Sequence, residues 1–461
     1  MDQATETNMI QTIYDRIYDI VTTTPGAGKA PVFNPQTTFV QVVPLGLPIN
    51  PADLANAASP INPNGSLLAA EVFFDLVDAV PALNSSYALS GRRISAIYGD
   101  IVNGANTSAV VDPAQLQLYT QAYNYLNQTT TILDFTGHPT TQVTPTPINA
   151  IYQANQQTYL TALSAYRTAF NNYDLTDPVQ QRQWQANAPV LQNAVTQTWN
   201  TWRAQGAPQV EQAQNAIATT INSAIRNVLA SDQQLFNQAR LQPQVIGGAP
   251  WYLAYALPSN WADPSSNVYA AMKVSTNYLN TSASSQFTQY GGGASFSLGF
   301  WSIGGSFNHQ ESSTRSHTGA TNVSIDMELC VVEIERPWLD GVIFDMGDWF
   351  MGAGFPKGSI STGLLATATV QTMMPLLPTA FIAARNISIT ANWSTQDQSY
   401  IHSVTSGSAS VGWGPFQIGG SYYSSSSQAT FQSSFQDGVL RIPGIQIIAF
   451  INQILPVVPP E

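Results

Sequence analysis

The sequence predicts an α+β protein: a helical N-terminal half with a long antiparallel three-helix coiled-coil rod, then a β-rich C-terminal half built from two related strand-hairpin-strand units. Three observations predict it. Tyr152, Tyr159, Tyr166 and Tyr173 recur every seven residues, with Leu163 and Phe170 at intervening fourth positions, which is a coiled-coil seam. Residues 294–306 (ASFSLGFWSIGGS) and 409–421 (ASVGWGPFQIGGS) align without a gap, and Ala294, Ser295, Gly299, Ile303, Gly304, Gly305 and Ser306 meet identical residues 115 positions later. Beyond each copy, the β-branched runs 323–334 and 439–448 read as core strands.

Three segments follow from these patterns: N-terminal helices and a Pro-rich arm over 1–111, the helical rod over 112–242, and the duplicated β-rich part over 243–461. In the first, Ile10, Ile13, Tyr14, Ile17 and Val21 make one apolar helical face. A Pro/Asn/Gly-dense arm follows over 24–65, with one strand-like run, Thr38 to Val43. Helical patterns then cover 66–80 and 90–106. Asp112-Pro113 is a cap and first-turn pair for a helix to about Leu133, and 135–147 reads as a loop. The second rod helix carries Trp184, Ala188, Leu191, Val195 and Trp202, and the third carries Ile217, Ile221, Ala224, Val228 and Leu235.

In the β-rich part Phe296, Leu298 and Phe300 alternate with Ser295, Ser297 and Gly299, the period-two pattern of a half-buried strand. Turns are expected at Phe300-Trp301-Ser302 and at Gly414-Pro415-Phe416-Gln417. The hairpin arms are Ala283–Phe300 with Ile303–Thr321, and His402–Gly414 with Ile418–Gln432. Aromatic tips on Ser/Gly-rich arms of this length suit a membrane interface, where each arm needs roughly 9–11 residues to cross.

Composition narrows the function classes. Charged residues are only 9% of the chain and the net charge is −12, with no Lys/Arg cluster, so a nucleic-acid partner is excluded. Lysine occurs only at Lys29, Lys273 and Lys357, which leaves strand edges with little charge protection and points to self-association. Cys330 is the single cysteine and is expected to be an inert core thiol. The first twenty residues lack a basic and apolar leader, so an extracellular or cell-surface location is expected by a route without a classical signal peptide, with cytoplasmic storage as the other possibility. The uncharged stretch 363–384 is interrupted by Pro375 and Pro378 and reads as buried structure. Gly26-Ala27-Gly28-Lys29 lacks the earlier glycine and following hydroxyl of a phosphate loop.

No linear motif for catalysis, cofactor or metal is present. Glu333 and Glu335 share one side of a strand, and Asp340, Asp345 and Asp348 follow, but the expected reading is an exposed strand face and a capped turn. His309 and His317 lack metal-ligand spacing. The layout, two polar hairpins beside a helical section, is similar to that of several pore-forming protein families, although no family motif is matched. The expectation is a non-enzymatic, self-associating protein that engages membranes through two amphipathic hairpins. Its contact residues would be Phe296, Leu298, Phe300, Trp301, Ile303, Trp413, Phe416, Ile418 and Tyr422, and its partners a second copy and a lipid membrane or cell-surface glycan. A structural or surface-binding assembly subunit with hairpins in water is the alternative, and a carbohydrate-active enzyme the third.

Overall fold

A computed structural model describes residues 37–60, 62–82, 89–107, 113–133, 139–171, 173, 178–220, 225–244, 248–275, 301–303, 314–316, 318–352, 354–363, 372–405, 411–423 and 430–461. The helix expected over 4–23, the arm Ala283–Phe300 and residues Phe296, Leu298, Phe300, His309 and His317 lie outside them. Helix and sheet are both abundant, as the α+β class requires.

The centre is a seven-stranded antiparallel sheet. Its main path runs β1 (Thr38–Ile49), β12 (Val439–Ile454), β7 (Leu376–Asn392), β6 (Thr321–Glu335) and β2 (Tyr255–Leu257). Strand β3 (Ala270–Ser275) also pairs with β6, and β11 (Ser434–Gln436) with β12. In β7 and β12 both faces are covered, which is why these strands read as near-continuous apolar runs rather than alternating ones. Phe381, Ala383, Ile447 and Phe450 join one core, whereas Ile382, Ala384 and Ile448 join the other.

The first core is shared with helices. Ser66 caps α1 (Leu67–Val77) by accepting from the Ala69 amide at 3.1 Å, and the helix buries Ala70, Phe73, Phe74 and Val77. In α2 (Ile94–Gly104) the spacing of Ile94, Ile97, Tyr98, Ile101 and Val102 presents a single buried face. The expected helix to Leu133 stops earlier: α3 is Pro113–Leu126, and the Thr-rich Asn127–Leu133 pairs with Pro139–Pro145 in a hairpin. A run of β-branched residues after Leu126 favours extension over another helical turn.

Helices α4 (Pro147–Asn171) and α5 (Pro178–Ala204) pack antiparallel through the tyrosine seam. Tyr152 and Tyr159 lie 5.1 and 5.7 Å from Trp202 between ring centroids, and Tyr166 lies 5.4 Å from Trp184. The third helical stretch is described as α6 (Ala207–Thr220) and α7 (Ile225–Gln238), separated by residues outside the described set. It packs mainly elsewhere than along this pair: α6 meets α3, and α7 meets α2, so Val210, Ile217, Val228 and Phe236 enter the first core.

Under the other face sits a five-stranded sheet ordered β5 (Thr314–Ser316), β4 (Trp301–Ile303), β8 (Val411–Trp413), β9 (Phe416–Ser421) and β10 (Thr430–Gln432). Here two expectations are corrected. Trp301 and Ser302 are strand residues, flanked by β5 and β8, not a turn. The arm expected from His402 begins as helix, because α8 spans Thr395–Thr405. The second turn is shorter than expected: Gly414 (φ +57°) and Pro415 alone join β8 to β9, with glycine taking the positive φ that a two-residue hairpin loop demands, while Phe416 and Gln417 are already strand.

The large sheet contains two pairings with the same register. Strand β3 meets β6 with Ser275 opposite Ser324, Val274 opposite Ile325, and Met272 opposite Met327. Strand β7 meets β12 with Thr390 opposite Val439, Ile389 opposite Leu440, and Ile387 opposite Ile442, each number 115 higher. Asn322 (φ +51°), at the start of β6, and Asp437 (φ +52°), just ahead of β12, are again 115 apart and share a left-handed backbone.

Candidate functional site

Of the predicted contact residues, Trp301, Trp413, Phe416 and Ile418 converge, but inwards. Strands β4 and β8 are neighbours, with Trp301 opposite Trp413 and Ile303 opposite Val411, so two segments over 100 residues apart form one sheet. Trp301, Trp413, Phe416 and Ile418 are all 0% exposed. The expectation of aromatic tips facing outward is therefore corrected for this conformation: these side chains fill the space between the two sheets, where removing their large apolar area from water stabilises the packing. Tyr422 is partly buried, its ring 5.4 Å from Phe431. Ile303 is placed on β4 by its pairing.

One carboxylate pins this arrangement. Asp397, 1% exposed in the first turn of α8, accepts through Oδ1 from Trp301 Nε1 (2.7 Å), Thr318 Oγ1 (2.9 Å) and the Gly319 amide (3.3 Å). Its Oδ2 accepts from the Ser394 hydroxyl (2.6 Å) and the Ser394 amide (3.1 Å), while Ser394 Oγ accepts from the Asp397 amide. Ser394-x-x-Asp397 is thus a capping box that also holds a tryptophan of the neighbouring sheet. The Trp301 ring lies tilted against Tyr400 at 5.4 Å, and Trp393 meets Trp413 edge-on at 5.6 Å. On the far side, Gln446 accepts from the Gln417 amide and donates to its carbonyl. The Pro415 carbonyl accepts from the Gly46 amide, at a spot where any side chain on Gly46 would meet Gln446. The second hairpin tip is seated on β1.

A second constellation lies where α4 crosses the sheet. Gln153, Gln157, Ser164 and Thr168 follow one another on a helical face of α4 and turn to the sheet edge. Ser164 donates to the Val268 carbonyl (2.9 Å), Thr168 donates to the Tyr269 carbonyl and accepts from the Ala271 amide (both 3.3 Å), and Tyr255 donates to Gln153 (3.0 Å). Among the described residues β3 is an edge strand, and α4 covers it with hydroxyls that satisfy backbone groups, so the expectation of an exposed edge does not hold there.

Beneath α4 is a cavity of about 80 Å³ lined by residues that include Leu160, Leu163, Ser164, Cys330, Val331 and Glu333. Glu333 Oε2 accepts weakly from Gln156 at 3.4 Å. Burial, and secondarily the adjacent Glu335, push the Glu333 carboxyl up to about 7, and burial raises Glu335 against the opposing pull of Arg336. The strand face expected to be exposed for this pair is half-buried, with Gln156 of α4 reaching Glu333. Of the two, Glu333 is the one that lines the cavity.

Asp340 caps its turn as expected, accepting from the Val342 amide at 3.0 Å, yet it also faces a buried acid. Asp232 on α7 is 0% exposed, and neither carboxylate oxygen has a hydrogen-bond partner among the described residues. Burial, then Asp340, raise its pKa well above the carboxylate range, and burial pushes Asp340 up to about 6. Tyr98 closes the cluster by accepting from the Asp340 amide at 2.9 Å.

Among the described residues no group of three or more His, Cys, Asp or Glu could hold a metal ion, and no helix is long and apolar enough to cross a membrane. Cys330 is buried with its thiol pushed up by burial. Sequence reasoning missed Asp397 and the α4 cover. The Ser394-x-x-Asp397 box is a local signal for the first, whereas the polar stripe on α4 is indistinguishable in sequence from a solvated face. No known protein family matches this chain, and neither does any characterised protein or solved structure.

Proposed function

We propose that this chain is a non-enzymatic, self-associating protein that engages membranes through its two hairpin segments, stored side by side in the conformation described above. The observation that carries the reading is the pairing of β4 with β8: segments distant in sequence, both aromatic and Ser/Gly-rich, already lie in one sheet. Asp397 ties Trp301 of that sheet to α8, while Gln446 and the Gly46 amide hold its second hairpin to β12 and β1. Release of α8 would free Trp301 from Asp397 and Tyr400. The equal registers of β3 with β6 and of β7 with β12 support reading the C-terminal half as two related units. The tyrosine–tryptophan seam of α4 and α5 supports a coiled-coil helical section beside them. An extracellular or cell-surface site of action fits the scarcity of charge.

The inward seating of the apices favours a second reading, an assembly subunit whose hairpins never meet lipid. The test is dye release from phosphatidylcholine vesicles at pH 5 and pH 8, with particle mass measured with and without lipid. Release accompanied by a lipid-dependent rise in mass supports membrane engagement. Assembly without lipid and without release supports the subunit, and a monomer inert in both assays overturns self-association itself.

A further inference from the structure

Helix α4 is attached to the sheet in an unusual way. Its tyrosine seam is spent on α5, so what it offers the sheet is largely a polar stripe, Gln153, Gln156, Gln157, Ser164 and Thr168, with Leu160 and Leu163 over an imperfectly filled cavity. Hydrogen bonds of this kind contribute little net stability because water replaces them well once the surfaces part. A void removes dispersion contacts that a packed helix would have. The groups half-buried underneath are a carboxyl pair, Glu333 and Glu335, two residues apart on one face of β6.

The charges around that pair do not neutralise it. Arg336, directly after the strand, donates to the Pro378 and Val77 carbonyls and only moderates Glu335. Arg203, at the end of α5, is bonded to Glu211 of α6. Tyr255 of β2, Tyr152 of α4 and the Cys330 thiol are neutral in the ordinary range, each held protonated mainly by burial. Ionising the carboxyls thus places two like charges in a partly covered, low-dielectric gap, a cost relieved when the gap opens to water.

We propose that helix α4 is a displaceable cover over edge strand β3, held down while Glu333 and Glu335 are protonated and lifted as they ionise, baring the β3 backbone for strand pairing. The direction is set by linkage. The covered state binds protons more tightly than the open state, so the cover is firmest below about pH 4.5 and loosens as pH rises towards 7 and beyond. The Glu333 displacement, from 4.5 to about 7, allows the opening equilibrium to change on the order of 100-fold across this window.

Amide hydrogen exchange at pH 5 and pH 8, corrected for intrinsic rates, tests this without lipid and so independently of the vesicle assay. In the wild-type protein the opening constant at Ala271, whose amide is held by Thr168, should rise roughly 100-fold, while amides of β7 and β12 stay protected. Glu333→Gln, isosteric and able to keep the Gln156 contact, should hold that rise to within about threefold, and Glu335→Gln should reduce it in part. A pH-independent Ala271 in the wild type, an undiminished rise in both variants, or a rise shared equally by β12 overturns the proposal.

Discussion

Replacing Asp397 by alanine tests the pin directly. The carboxylate is 1% exposed and receives Trp301 Nε1, Thr318 Oγ1 and the Gly319 amide on one oxygen, and two donors of Ser394 on the other. Truncation leaves the Trp301 indole N–H inside the apolar space between sheets, with no acceptor from α8. An orphaned buried donor costs about 1–3 kcal/mol, and loss of a cap about 1 kcal/mol. Thr318 and Ser394 can turn to other acceptors, so the indole, the Gly319 amide and the cap dominate, for a total of about 3–5 kcal/mol. Asp397→Asn retains an acceptor for Trp301 but presents donors to Ser394, and should cost about 1–2 kcal/mol. Urea unfolding followed by tryptophan fluorescence and by far-UV circular dichroism reads both variants. A loss below about 1 kcal/mol for Asp397→Ala would refute the reasoning, because water would then satisfy the site as well as the carboxylate does.

Further outcomes follow from the other sites. Ser164→Ala with Thr168→Val should cost about 1–2 kcal/mol in total and raise exchange at Ala271 at every pH, because the edge strand loses its hydroxyl partners. Thermal stability should fall from pH 5 to pH 8: Asp78 and Asp340 are raised to about 6 and Glu333 to about 7, so the folded state holds protons that the unfolded chain releases from about pH 4 upward. Asp232→Asn should stabilise the protein at pH 8 by about 1–3 kcal/mol and by less at pH 5, since the native carboxyl is buried without a partner; equal effects at both values would argue against a protonated acid there. Cys330, which lines the cavity beneath α4, should react with an aromatic disulfide reagent only as fast as α4 lifts, so Glu333→Gln should slow the reaction at pH 8.

Local pattern alone determined much of this protein. The heptad of tyrosines implied α4 and its antiparallel partner, since a stripe every seven residues cannot be buried by one helix on its own. The β-branched runs named β6 and β12, and Gly414-Pro415 marked a hairpin turn, because φ above zero is a backbone demand legible in one residue type. Those are short-range constraints, and a sequence states them directly. Only the tertiary structure decided which way the hairpin aromatics face. Trp301 and Phe416 would serve equally well in lipid or in a core, and Trp301 is held inside by Asp397, 96 residues away, reaching across from another element. The same holds for the strand edge and for Glu333. A stripe of glutamine, serine and threonine has the same composition whether it meets water or a neighbour's backbone, and a carboxyl becomes a weak acid only when distant segments close over it.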